Sequence, residues 1–539
     1  MVDMEKWTET RRFTPEKMAA AREILEEIKK GTDVFIAIRK NPMPGVGYLA
    51  KHTLVEAYRR LVSSGEWTED IELFKRIRLK PVRTLSGVTT VTVLTGPHAC
   101  PGECIFCPND TRLPKSYLYG EPGAMRGMQN DFDPYMQTAS RLEALDAVGH
   151  PVDKIELLIL GGTFTAYEPE YQEWFIRRCF DAMNGFDSSG MEEAHRFNEG
   201  ATHRNVGLVI ETRPDEITPA VLTHLRELGV TKVQIGAQSL DDRLLQINKR
   251  GHTAGDTLRA VGMLRAAGFK VVLHWMPNLL GATLESDRED FVRLWNDGYC
   301  PDELKIYPTQ LVEKSELYDI WQKGGYVPYT TDELIQLIAD LKNTIPRYCR
   351  VNRVIRDIPS NLIAAGNKRS SLRMDVKEEL DRRGQHCQCV RCREVRGEQI
   401  KPDELVFHDL AYDTPASQEH FLSFDTPQDK LTGYLRLSLP DFTQNTDVRQ
   451  AMPDLKDAAI IREVHVFGQS LPVGSDEAGA AQHTGLGTTF LAEAERIARE
   501  KGYARLAVIA AVGTRLYYNK RGFERGTHYF VKELSQVQS

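Results

Sequence analysis

The segment His98-Ala-Cys-Pro-Gly-Glu-Cys-Ile-Phe-Cys-Pro-Asn109 carries three cysteines in the spacing C-x3-C-x2-C, directly after an apolar, β-like run at residues 91–95. Three thiolates this close together can ligate three irons of a [4Fe–4S] cluster. The fourth iron then has no protein ligand. The spacing therefore predicts an iron–sulfur site with one open coordination position.

Two other roles for these cysteines fit the sequence less well. Disulfides are not expected, because nine cysteines in 539 residues is low usage and the charged N-terminal segment has no apolar secretory stretch. A structural zinc site usually combines a C-x2-C pair with a second, distant pair. Iron–sulfur ligation is the favoured interpretation.

An open iron is what a radical S-adenosylmethionine (SAM) enzyme requires, and Phe106 inside the x2 gap resembles the radical SAM signature. The methionine part of SAM chelates that iron, and reductive cleavage of SAM yields a 5′-deoxyadenosyl radical. On this resemblance Cys100, Cys104 and Cys107 are the predicted cluster ligands.

The composition is that of an ordinary globular protein. Hydrophobic residues make up 41% and the formal net charge is −7, while the mean hydropathy is −0.39. The longest apolar runs, at residues 155–160 and 506–512, are too short to span a membrane. We expect a cytoplasmic protein of about two to four domains.

Short apolar strands alternate with helical patterns through the middle of the chain. The six candidate strands are residues 91–95, 155–160, 207–211, 232–236, 270–274 and 304–307. This alternation predicts an α/β fold in which a parallel sheet curls into a partial (β/α)6 barrel, with the active site at the carboxyl ends of the strands. The predicted domains are a helical N-terminal region at 1–80, the barrel at 81–345, a Cys-rich connector at 346–402 and a C-terminal domain at 403–539.

Glycine and polar residues follow the predicted strands, at the edge where the cysteines also lie. Gly161-Gly162 would let backbone polar groups approach the SAM amino group, although a tight βα turn would also explain the pair. Glu211 and Ser239 could bind the ribose or the carboxylate of SAM. Lys305 is either a structural ion-pair partner or a catalytic side chain facing the barrel interior near the radical.

The connector contains a second cysteine group, His386-Cys387-Gln388-Cys389-Val390-Arg391-Cys392. Cys387, Cys389 and Cys392 can supply three zinc ligands, and His386 or Cys349 can supply the fourth. We see no nearby base for a catalytic zinc, so we predict a structural zinc that ties two domains together. Free thiols and a second iron–sulfur cluster are the less favoured alternatives.

Strand-like runs resume after residue 403, and Gln482-His-Thr-Gly-Leu-Gly-Thr488 then opens a predicted helix at residues 489–501. A turn of this kind at a helix N-terminus presents backbone N–H groups and the positive end of the helix dipole, which suits a pyrophosphate. A strand at 504–510 and the segment Tyr517-Tyr518-Asn519-Lys520-Arg521-Gly522-Phe523 follow. This order resembles the GNAT acetyltransferases, which implies an acetyl-CoA site.

Basic residues form runs on both sides of the predicted barrel. The runs are Lys75, Arg76, Arg78, Lys80 and Arg83; Arg347, Arg350, Arg353 and Arg356; Lys368, Arg369 and Arg373; and Arg391, Arg393 and Arg396. Each run alone is typical of a solvated face. Together they also fit a surface for RNA or another phosphate-rich partner.

A radical SAM barrel joined to a GNAT domain resembles the Elongator protein 3 family, the catalytic subunit of a tRNA-modifying complex. Ordered motifs carry the resemblance from about residue 81 to 531. Among them are Gly161-Gly-Thr-Phe164, Ile210-Glu-Thr-Arg-Pro-Asp215, Arg250-Gly-His-Thr253, Leu304-Lys-Ile-Tyr-Pro-Thr309 and Arg462-Glu-Val-His-Val466. The resemblance implies formation of 5-carboxymethyluridine at the wobble uridine, U34, of tRNA. Its partner would be the tRNA anticodon stem-loop, contacted in part by the N-terminal region.

The same resemblance implies roles around acetyl-CoA. Lys154 looks like the family lysine that contacts acetyl-CoA from the radical SAM domain. The expected cofactor-binding residues of the C-terminal domain are Glu463, Val464, His465, Val466, Gln482, Gly485, Leu486, Gly487 and Thr488. Tyr517 or Tyr518 looks like the tyrosine beside the thioester, and one of the two is expected to pack in the core.

In the implied reaction, a 5′-deoxyadenosyl radical takes hydrogen from the acetyl methyl, the carbon adds to C5 of uracil, and thioester hydrolysis leaves the carboxymethyl group. The acetyl group must then reach the barrel rim, so we expect the two domains to pack face to face there. A protein lysine acetyltransferase with a structural radical SAM domain is the alternative function, and a tRNA-binding scaffold is a third. The sequence leaves open whether the chain forms a homodimer.

Overall fold

A computed structural model describes residues 13–44, 46–80, 84–396, 400–467 and 485–534. The chain divides into two compact units, Met1–Thr89 with Ser140–Val152, and Thr90–Ala139 with Asp153–Ser539. The cysteine loop and the C-terminal domain both belong to the second unit. None of the helices in the described ranges is long and apolar enough to cross a bilayer.

The first unit is built from helices around its own apolar core. They are α1 (Pro15–Lys29), α2 (Val34–Lys40), α3 (Lys51–Ser63) and α4 (Ile71–Ile77). The side chains of Thr14, Asp33 and Asp70 accept hydrogen bonds from first-turn backbone N–H groups, which determines where α1, α2 and α4 begin. Fully buried Ile24 and Leu61 belong to the core of this unit.

A seven-stranded sheet in the order β1-β2-β3-β4-β5-β6-β8 forms the first half of the second unit. The strands are β1 (Thr89–Leu94), β2 (Lys154–Leu160), β3 (Arg204–Thr212), β4 (Lys232–Gln238), β5 (Lys270–Trp275), β6 (Glu303–Ile306) and β8 (Arg350–Arg353), and β7 (Leu311–Val312) pairs separately with β9 (Ile363–Ala365). The pairs from β2 to β8 are parallel. All six predicted strands are present, which confirms the half-barrel.

Helices follow most strands of this sheet and continue into the connector. They are α5 (Pro122–Gln129), α6 (Pro134–Ala147), α7 (Pro169–Asn184), α8 (Met191–Asn198), α9 (Pro219–Glu227), α10 (Asp242–Ile247), α11 (Ala254–Ala266), α12 (Leu284–Asn296), α13 (Glu316–Gln322), α14 (Thr331–Lys342), α15 (Leu372–Arg382) and α16 (Val390–Arg393). Thr253, Thr283 and Thr330 begin α11, α12 and α14 with reciprocal capping hydrogen bonds.

The seventh strand, β8, corrects the sequence analysis, which places these residues in the connector. It pairs in parallel with β6, yet its sequence Arg-Val-Asn-Arg lacks the apolar run typical of a buried parallel strand. Its polar side chains are instead paired with neighbouring polar groups. Arg350 forms an ion pair with Glu394, and Asn352 donates a hydrogen bond to Glu303 over 2.5 Å.

Side chains from alternate strands meet on the concave face of the curled sheet. Lys232 on β4 contacts Glu156 on β2 at 2.7 Å and Glu303 on β6 at 3.0 Å, although β2 and β6 each lie two strands from β4. On β2, every second side chain from Lys154 to Leu160 is partly exposed, and those between are buried. Glu156 belongs to the partly exposed set, whereas Lys232 and Lys305 on the neighbouring strands are buried.

The C-terminal domain is a mixed seven-stranded sheet in the order β10-β11-β12-β13-β14-β16-β15. Its elements are β10 (Val406–Thr414), β11 (Ser417–Asp425), β12 (Leu431–Pro440), α17 (Thr446–Ala451), β13 (Ala458–Val466), α18 (Leu486–Glu500), β14 (Arg505–Val508), α19 (Arg515–Asn519), β15 (Glu524–Arg525) and β16 (Phe530–Glu533). β13 and β14 pair in parallel from Ala458 to Ile461, whereas β13 continues along β12 to Val466. The pairing of β13 with β14 therefore stops at Ile461, while β13 continues beside β12. This strand and helix order confirms the predicted GNAT-type domain.

Buried ion pairs join the two sheets. Arg462 on β13 contacts Asp302, just before β6, through two nitrogens at 2.7 Å each, and contacts Glu419 at 2.6 Å. Burial alone raises the pKa of Asp302, but Arg462 and Arg436 lower it below the usual range. Because Asp302 lies at the amino end of a barrel strand, these contacts hold the C-terminal sheet against that end of the barrel.

Candidate functional site

The three predicted cluster ligands lie on the loop that follows β1. Cys100, Cys104 and Cys107 are all partly exposed. The Cys107 backbone N–H donates to the Cys104 carbonyl oxygen over 3.1 Å, so the last two cysteines share one tight turn. Burial, followed by the charge of Cys104, raises the pKa of Cys107 to about 12. A bound metal is therefore needed to keep that sulfur as a thiolate.

Gly161 and Gly162 meet Glu211 where β2 and β3 end. Glu211 Oε1 accepts hydrogen bonds from the backbone N–H groups of Gly161 at 2.9 Å and Gly162 at 2.8 Å. The Tyr117 hydroxyl donates to the same oxygen over 2.6 Å. The glycine pair therefore makes a tight turn that also fixes a carboxylate at the carboxyl edge of the sheet.

Glycines occupy this turn because other segments of the same chain approach it closely. A side chain on Gly161 would lie 1.9 Å from Thr95 Oγ1. Gly162 has φ of +83°, and a side chain there would lie 3.0 Å from the Lys115 carbonyl oxygen. The following residue, Thr163, lies 3.6 Å from Cys100 Sγ through its hydroxyl oxygen. The turn is thus directly beside the cysteine loop, where SAM must bind.

Ser239 is buried after β4, and its hydroxyl is used within the chain. It donates to Asp290 Oδ2 over 3.1 Å and accepts from the backbone N–H of Asp241 over 3.1 Å. Its role toward SAM stays a prediction, because both hydrogen-bonding functions already have protein partners.

Lys305 lies in a polar group inside the half-barrel. Its ammonium donates to Gln234 Oε1, and His274 Nε2 lies 2.9 Å from the same oxygen. Burial, followed by the charge of Lys305, lowers the pKa of His274 well below its usual value. The imidazole is therefore neutral, and its Nε2–H can donate to Gln234. Gln234 and His274 escaped the sequence analysis because neither belongs to a recognisable motif.

Two arginines beside the cysteines were also missed as site residues. Arg250 NH1 donates to Cys104 Sγ over 3.2 Å, and a side chain on Gly102 would lie 2.2 Å from Arg213 NH1. Both arginines stand inside motifs that carry the family resemblance. Those motifs are the sequence feature from which the two site residues could have been predicted.

The second cysteine group forms a compact trio. The sulfur atoms of Cys387, Cys389 and Cys392 all lie within 4.8 Å of one another. Hydrogen bonds from the other two sulfurs hold the pKa of Cys389 well below its usual value, as a thiolate ligand requires. His386 does not join the trio: its side chain is 76% exposed and its Nδ1 lies 4.0 Å from Asp381. Donor type and spacing both fit zinc.

Cys349 is buried behind this trio. Its carbonyl oxygen accepts the backbone N–H of Val390 over 3.0 Å, and the charge of Cys389 contributes, after burial, to raising its pKa well above the usual value. It lies outside the group of sulfurs within 4.8 Å. The fourth zinc ligand therefore stays a prediction.

The part of β13 that extends past the end of β14 borders the candidate acetyl-CoA cleft. Residues Glu463 to Val466 lie on β13 beyond the point where β14 ends, and Gly485 begins α18. Gln482 falls outside the described residues. Gly485 has φ of +76°, which favours glycine, and Leu486, Gly487 and Thr488 form the first helical turn. A backbone edge opposite a helix N-terminus fits a thioester arm with its pyrophosphate.

Tyr517 borders this cleft, whereas Tyr518 belongs to the core. A side chain on Gly487 would lie 2.7 Å from the Tyr517 hydroxyl, so the glycine gives the phenol room above the helix start. Arg521 stacks on the Tyr517 ring, 3.6 Å from its centroid. Tyr518 is 7% exposed and packs within the core of the domain. The structure therefore favours Tyr517 as the tyrosine beside the thioester.

The acetyl-CoA cleft lies at the opposite end of the barrel from the cysteines, so the expected packing at the cysteine rim is wrong. Glu463 contacts Lys270 at the amino end of β5 over 2.9 Å, and a side chain on Gly513 would lie 2.6 Å from Arg204 at the amino end of β3. A nine-residue strand such as β3 is about 26 Å long. Lys154, paired with Arg204, is at the cleft end.

Several residues of the predicted basic runs are used inside the chain. The ion pairs are Arg347 with Asp425 and Asp429, Arg350 with Glu394, Arg356 with Glu121, and Arg393 with Asp425. In the first unit, Arg76 donates to the carbonyl oxygens of Ile28 and Thr32, while Arg83 lies outside the described residues. These arginines stabilise the fold, a role that a charge pattern does not distinguish from RNA binding.

A half-barrel with three cysteines after its first strand is the arrangement of a radical SAM protein. Residues 94–294 match the family model of the radical SAM superfamily, and residues 301–382 match that of the radical SAM C-terminal domain. The [4Fe–4S] cluster, SAM and acetyl-CoA all fit the residues present.

Comparison with known proteins gives the particular family. The chain is 42% identical over 474 residues to the tRNA uridine(34) acetyltransferase of Methanocaldococcus jannaschii, covering 85% of this chain and 86% of the relative. It is 38% identical over 481 residues to Elongator complex protein 3 of Danio rerio, covering 86% and 87%. The solved archaeal Methanocaldococcus infernus Elp3 with an N-terminal deletion matches 83% of this chain and 99% of its own, with a TM-score of 0.71 and 37% identity. The chain belongs to the Elongator protein 3 family.

Proposed function

We propose that this protein modifies the wobble uridine of tRNA and that its product is 5-carboxymethyluridine, made from acetyl-CoA. The observation that carries the proposal is the joint presence, in one compact unit, of a three-cysteine SAM loop and an acetyl-CoA cleft at two ends of the same concave sheet face. The names of the relatives, tRNA uridine(34) acetyltransferase and Elongator complex protein 3, support the substrate.

The bound cofactors would supply a 5′-deoxyadenosyl radical at the cysteine end. Joining the acetyl methyl carbon to C5 of uracil removes one hydrogen from each carbon, and water then cleaves the thioester to release CoA. The methyl hydrogen leaves as part of 5′-deoxyadenosine, while the C5 hydrogen leaves as a proton and the accompanying electron would return to the cluster, which was oxidised when SAM was cleaved. The product carries the former acetyl carbons as a carboxymethyl group.

The residues around the acetyl-CoA cleft hold and expose the thioester. The edge of β13 and the first turn of α18 bind the pantetheine arm and the pyrophosphate. Tyr517, whose hydroxyl lies beside Gly487 at the start of α18, would donate a proton to the leaving CoA thiolate. Burial raises the pKa of Tyr517, which keeps the phenol protonated for that task.

The concave face is the route between the two ends. Glu156 is 25% exposed in its side chain and lies midway along β2. Burial raises the pKa of Glu156, but Lys232 and Lys270 lower it to about 2. The negative charge of Glu156 on this route is therefore balanced by neighbouring lysines. An acetyl group that extends along this face while still attached to CoA passes Gln234, His274 and Lys305 before it reaches the cysteine loop.

The tRNA anticodon stem-loop is the proposed partner. A loop base can be unstacked and inserted into an enzyme site at modest cost. The first unit, with its helices α1 to α4, is the proposed second tRNA contact, and a cytoplasmic location follows from that substrate.

The test uses the full-length protein reconstituted anaerobically with iron and sulfide, and supplied with SAM, dithionite, anticodon stem-loop RNA and acetyl-CoA deuterated in the methyl group. We expect 5-carboxymethyluridine that retains two deuterium atoms, and one deuterium in 5′-deoxyadenosine, by mass spectrometry. RNA with cytidine at the wobble position is the matched substrate control and should stay unmodified.

The enzyme controls separate the competing functions. Cys104→Ala should abolish the product, whereas Cys179→Ala, a buried cysteine on α7, should retain it. Labelled uridine with the Cys104→Ala protein would refute the radical route. Faster acetylation of a peptide lysine than of RNA would establish the lysine acetyltransferase instead. A 5-acetyl-type uridine product without deuterium loss would support the tRNA substrate but contradict the carboxymethyl product.

A further inference from the structure

Two buried arginines lie directly behind the cysteine loop. Arg213 follows β3 and is 3% exposed, and Arg250 follows α10 and is 6% exposed. Arg250 NH1 donates to Cys104 Sγ over 3.2 Å. A Cβ on Gly102 would lie 2.2 Å from Arg213 NH1 and 3.7 Å from Cys100 Sγ. The guanidinium of Arg213 and the sulfur of Cys100 therefore flank the same glycine.

Other contacts hold both guanidinium groups in place. Arg213 donates through Nε to Asp215 at 3.0 Å, through NH2 to the same carboxylate at 2.8 Å, and to the Arg250 carbonyl oxygen at 2.9 Å. Arg250 NH2 donates to the Gly236 carbonyl oxygen over 2.5 Å. The two arginines thus form one rigid unit across the ends of β3 and β4, rather than two mobile surface cations.

The positive charge of this arginine pair is only partly compensated by protein. Asp215 offsets Arg213, but none of the carboxylates in the described ranges forms an ion pair with Arg250. Arg213 NH1 and Arg250 Nε are buried and make no hydrogen bond with any described group. A buried cation without a counter-charge costs several kcal/mol, so the fold requires an anion at this place. The three thiolates with their cluster are the negative group that the loop brings there.

We propose that Arg213 and Arg250 are positioning residues that raise the reduction potential of the iron–sulfur cluster and thereby make the SAM cleavage step accessible to its reductant. A cluster with three thiolates gains one negative charge on reduction, and nearby fixed positive charge and hydrogen bonds to the sulfurs favour that reduced form. The inference depends on the radical SAM assignment and not on the identity of the tRNA product.

The redox step is a transfer of one electron from an external low-potential donor, such as dithionite or a flavodoxin-type protein, to the cluster. No covalent bond forms or breaks in it, and neither arginine gains or loses a proton. Arg250 acts mainly through the hydrogen bond to Cys104, and Arg213 acts through charge beside Cys100.

The experiment is an anaerobic redox titration of the reconstituted full-length protein, monitored by EPR, with iron content and SAM binding measured on the same samples. Arg250→Gln should lower the midpoint potential by about 59 mV, a tenfold change in the one-electron equilibrium. Arg250→Lys keeps the positive charge but loses the planar guanidinium. Its midpoint potential should lie between those of the wild type and Arg250→Gln. Arg243→Gln, at a side chain 59% exposed, should leave the potential unchanged.

If the Arg250→Gln protein fails to hold a cluster, a second variant with the opposite expected shift in midpoint potential still tests the proposal. Asp215→Asn removes the counter-charge of Arg213 and should raise the midpoint potential. An unchanged potential in Arg250→Gln with full iron content, or a lowered potential in Asp215→Asn, would overturn the proposal. Weakened SAM binding with an unchanged potential would also overturn it, because the arginines would then serve the cosubstrate.

Discussion

Glu463 in the acetyl-CoA cleft forms an ion pair with Lys270 at the amino end of β5, with 2.9 Å between Oε1 and Nζ. The same carboxylate accepts from Arg436 Nε over 3.0 Å. The cysteines lie beyond the carboxyl ends of the same barrel strands. The candidate acetyl-CoA cleft and the cysteine loop therefore lie at opposite ends of the half-barrel.

A bulky residue on the concave face should block the route between the two ends. Leu158 lies on β2 with partly exposed neighbours on the same face. Leu158→Trp should abolish uridine modification while SAM cleavage and acetyl-CoA binding persist, since each end remains intact. Leu158→Met, which conserves volume, is the matched control. Normal RNA modification by the Trp variant would show that the acyl group takes another path.

The buried ion pairs between the sheets should dominate their attachment. Asp302→Asn leaves Arg462 buried without its full counter-charge, and we expect a loss of about 3 kcal/mol in the free energy of unfolding. Denaturant titration followed by circular dichroism measures it. Asp297→Asn, which breaks an exposed pair with Arg293, should cost less than about 1 kcal/mol. Equal effects would contradict the assigned role.

Acid should weaken the same attachment. The folded-state pKa of Asp302 lies below its usual value because Arg462 and Arg436 outweigh burial. A depressed carboxyl pKa contributes stability that is present above the unfolded-state pKa and lost as the pH falls toward the folded-state pKa. Wild-type stability should therefore decline on acidification, and the Asp302→Asn protein should show a shallower decline. Parallel curves for the two proteins would refute this.

The glycine turn beside the cysteines should not accept a side chain. In Gly161→Ala the new Cβ would lie 1.9 Å from Thr95 Oγ1, so the turn and Glu211 must shift, and we expect SAM affinity to fall about tenfold or more for a cost of 1–3 kcal/mol. Equilibrium binding to the reconstituted protein measures this. Adding Thr95→Ala should restore part of the affinity. Gly123→Ala, with nothing within 4 Å of its Cβ position, should bind SAM normally.

The tyrosine pair should divide into one functional and one packing residue. Tyr517→Phe removes the hydroxyl beside Gly487, and we expect a loss of about 10²-fold in acetyl-CoA hydrolysis if that group protonates the leaving thiolate. Tyr518→Phe changes a core residue and should retain most of the activity. A larger kinetic defect in the Tyr518 variant would reverse the assignment.

Zinc content should require the cysteine trio. Metal analysis of the Cys387→Ser/Cys389→Ser protein should show the loss of one zinc per chain, because two of the three clustered sulfurs are removed. His386→Ala should retain the zinc, since that side chain is 76% exposed and outside the trio. Zinc loss in the His386 variant would make it the fourth ligand after all.

The predictable parts of this fold are those whose signal is local. The six apolar strands and the tight turn at Gly161 each follow from residue types a few positions apart. β8 escaped prediction because its arginines and asparagine are neutralised by partners such as Glu394 and Glu303, which no local pattern identifies. For the same reason, several arginines that were expected to bind RNA form ion pairs within the chain instead.

By itself the sequence determined the chemistry that this protein can host. The spacing of Cys100, Cys104 and Cys107 specifies an open iron, and the turn before α18 specifies a pyrophosphate site, because both depend on short stretches of chain. Only the tertiary structure decided where these two sites lie relative to each other. Arg462 and Asp302 are 160 positions apart, and Arg250 and Cys104 are 146 apart. Such pairs form because buried charges require counter-charges, and only the folded chain shows which ones meet.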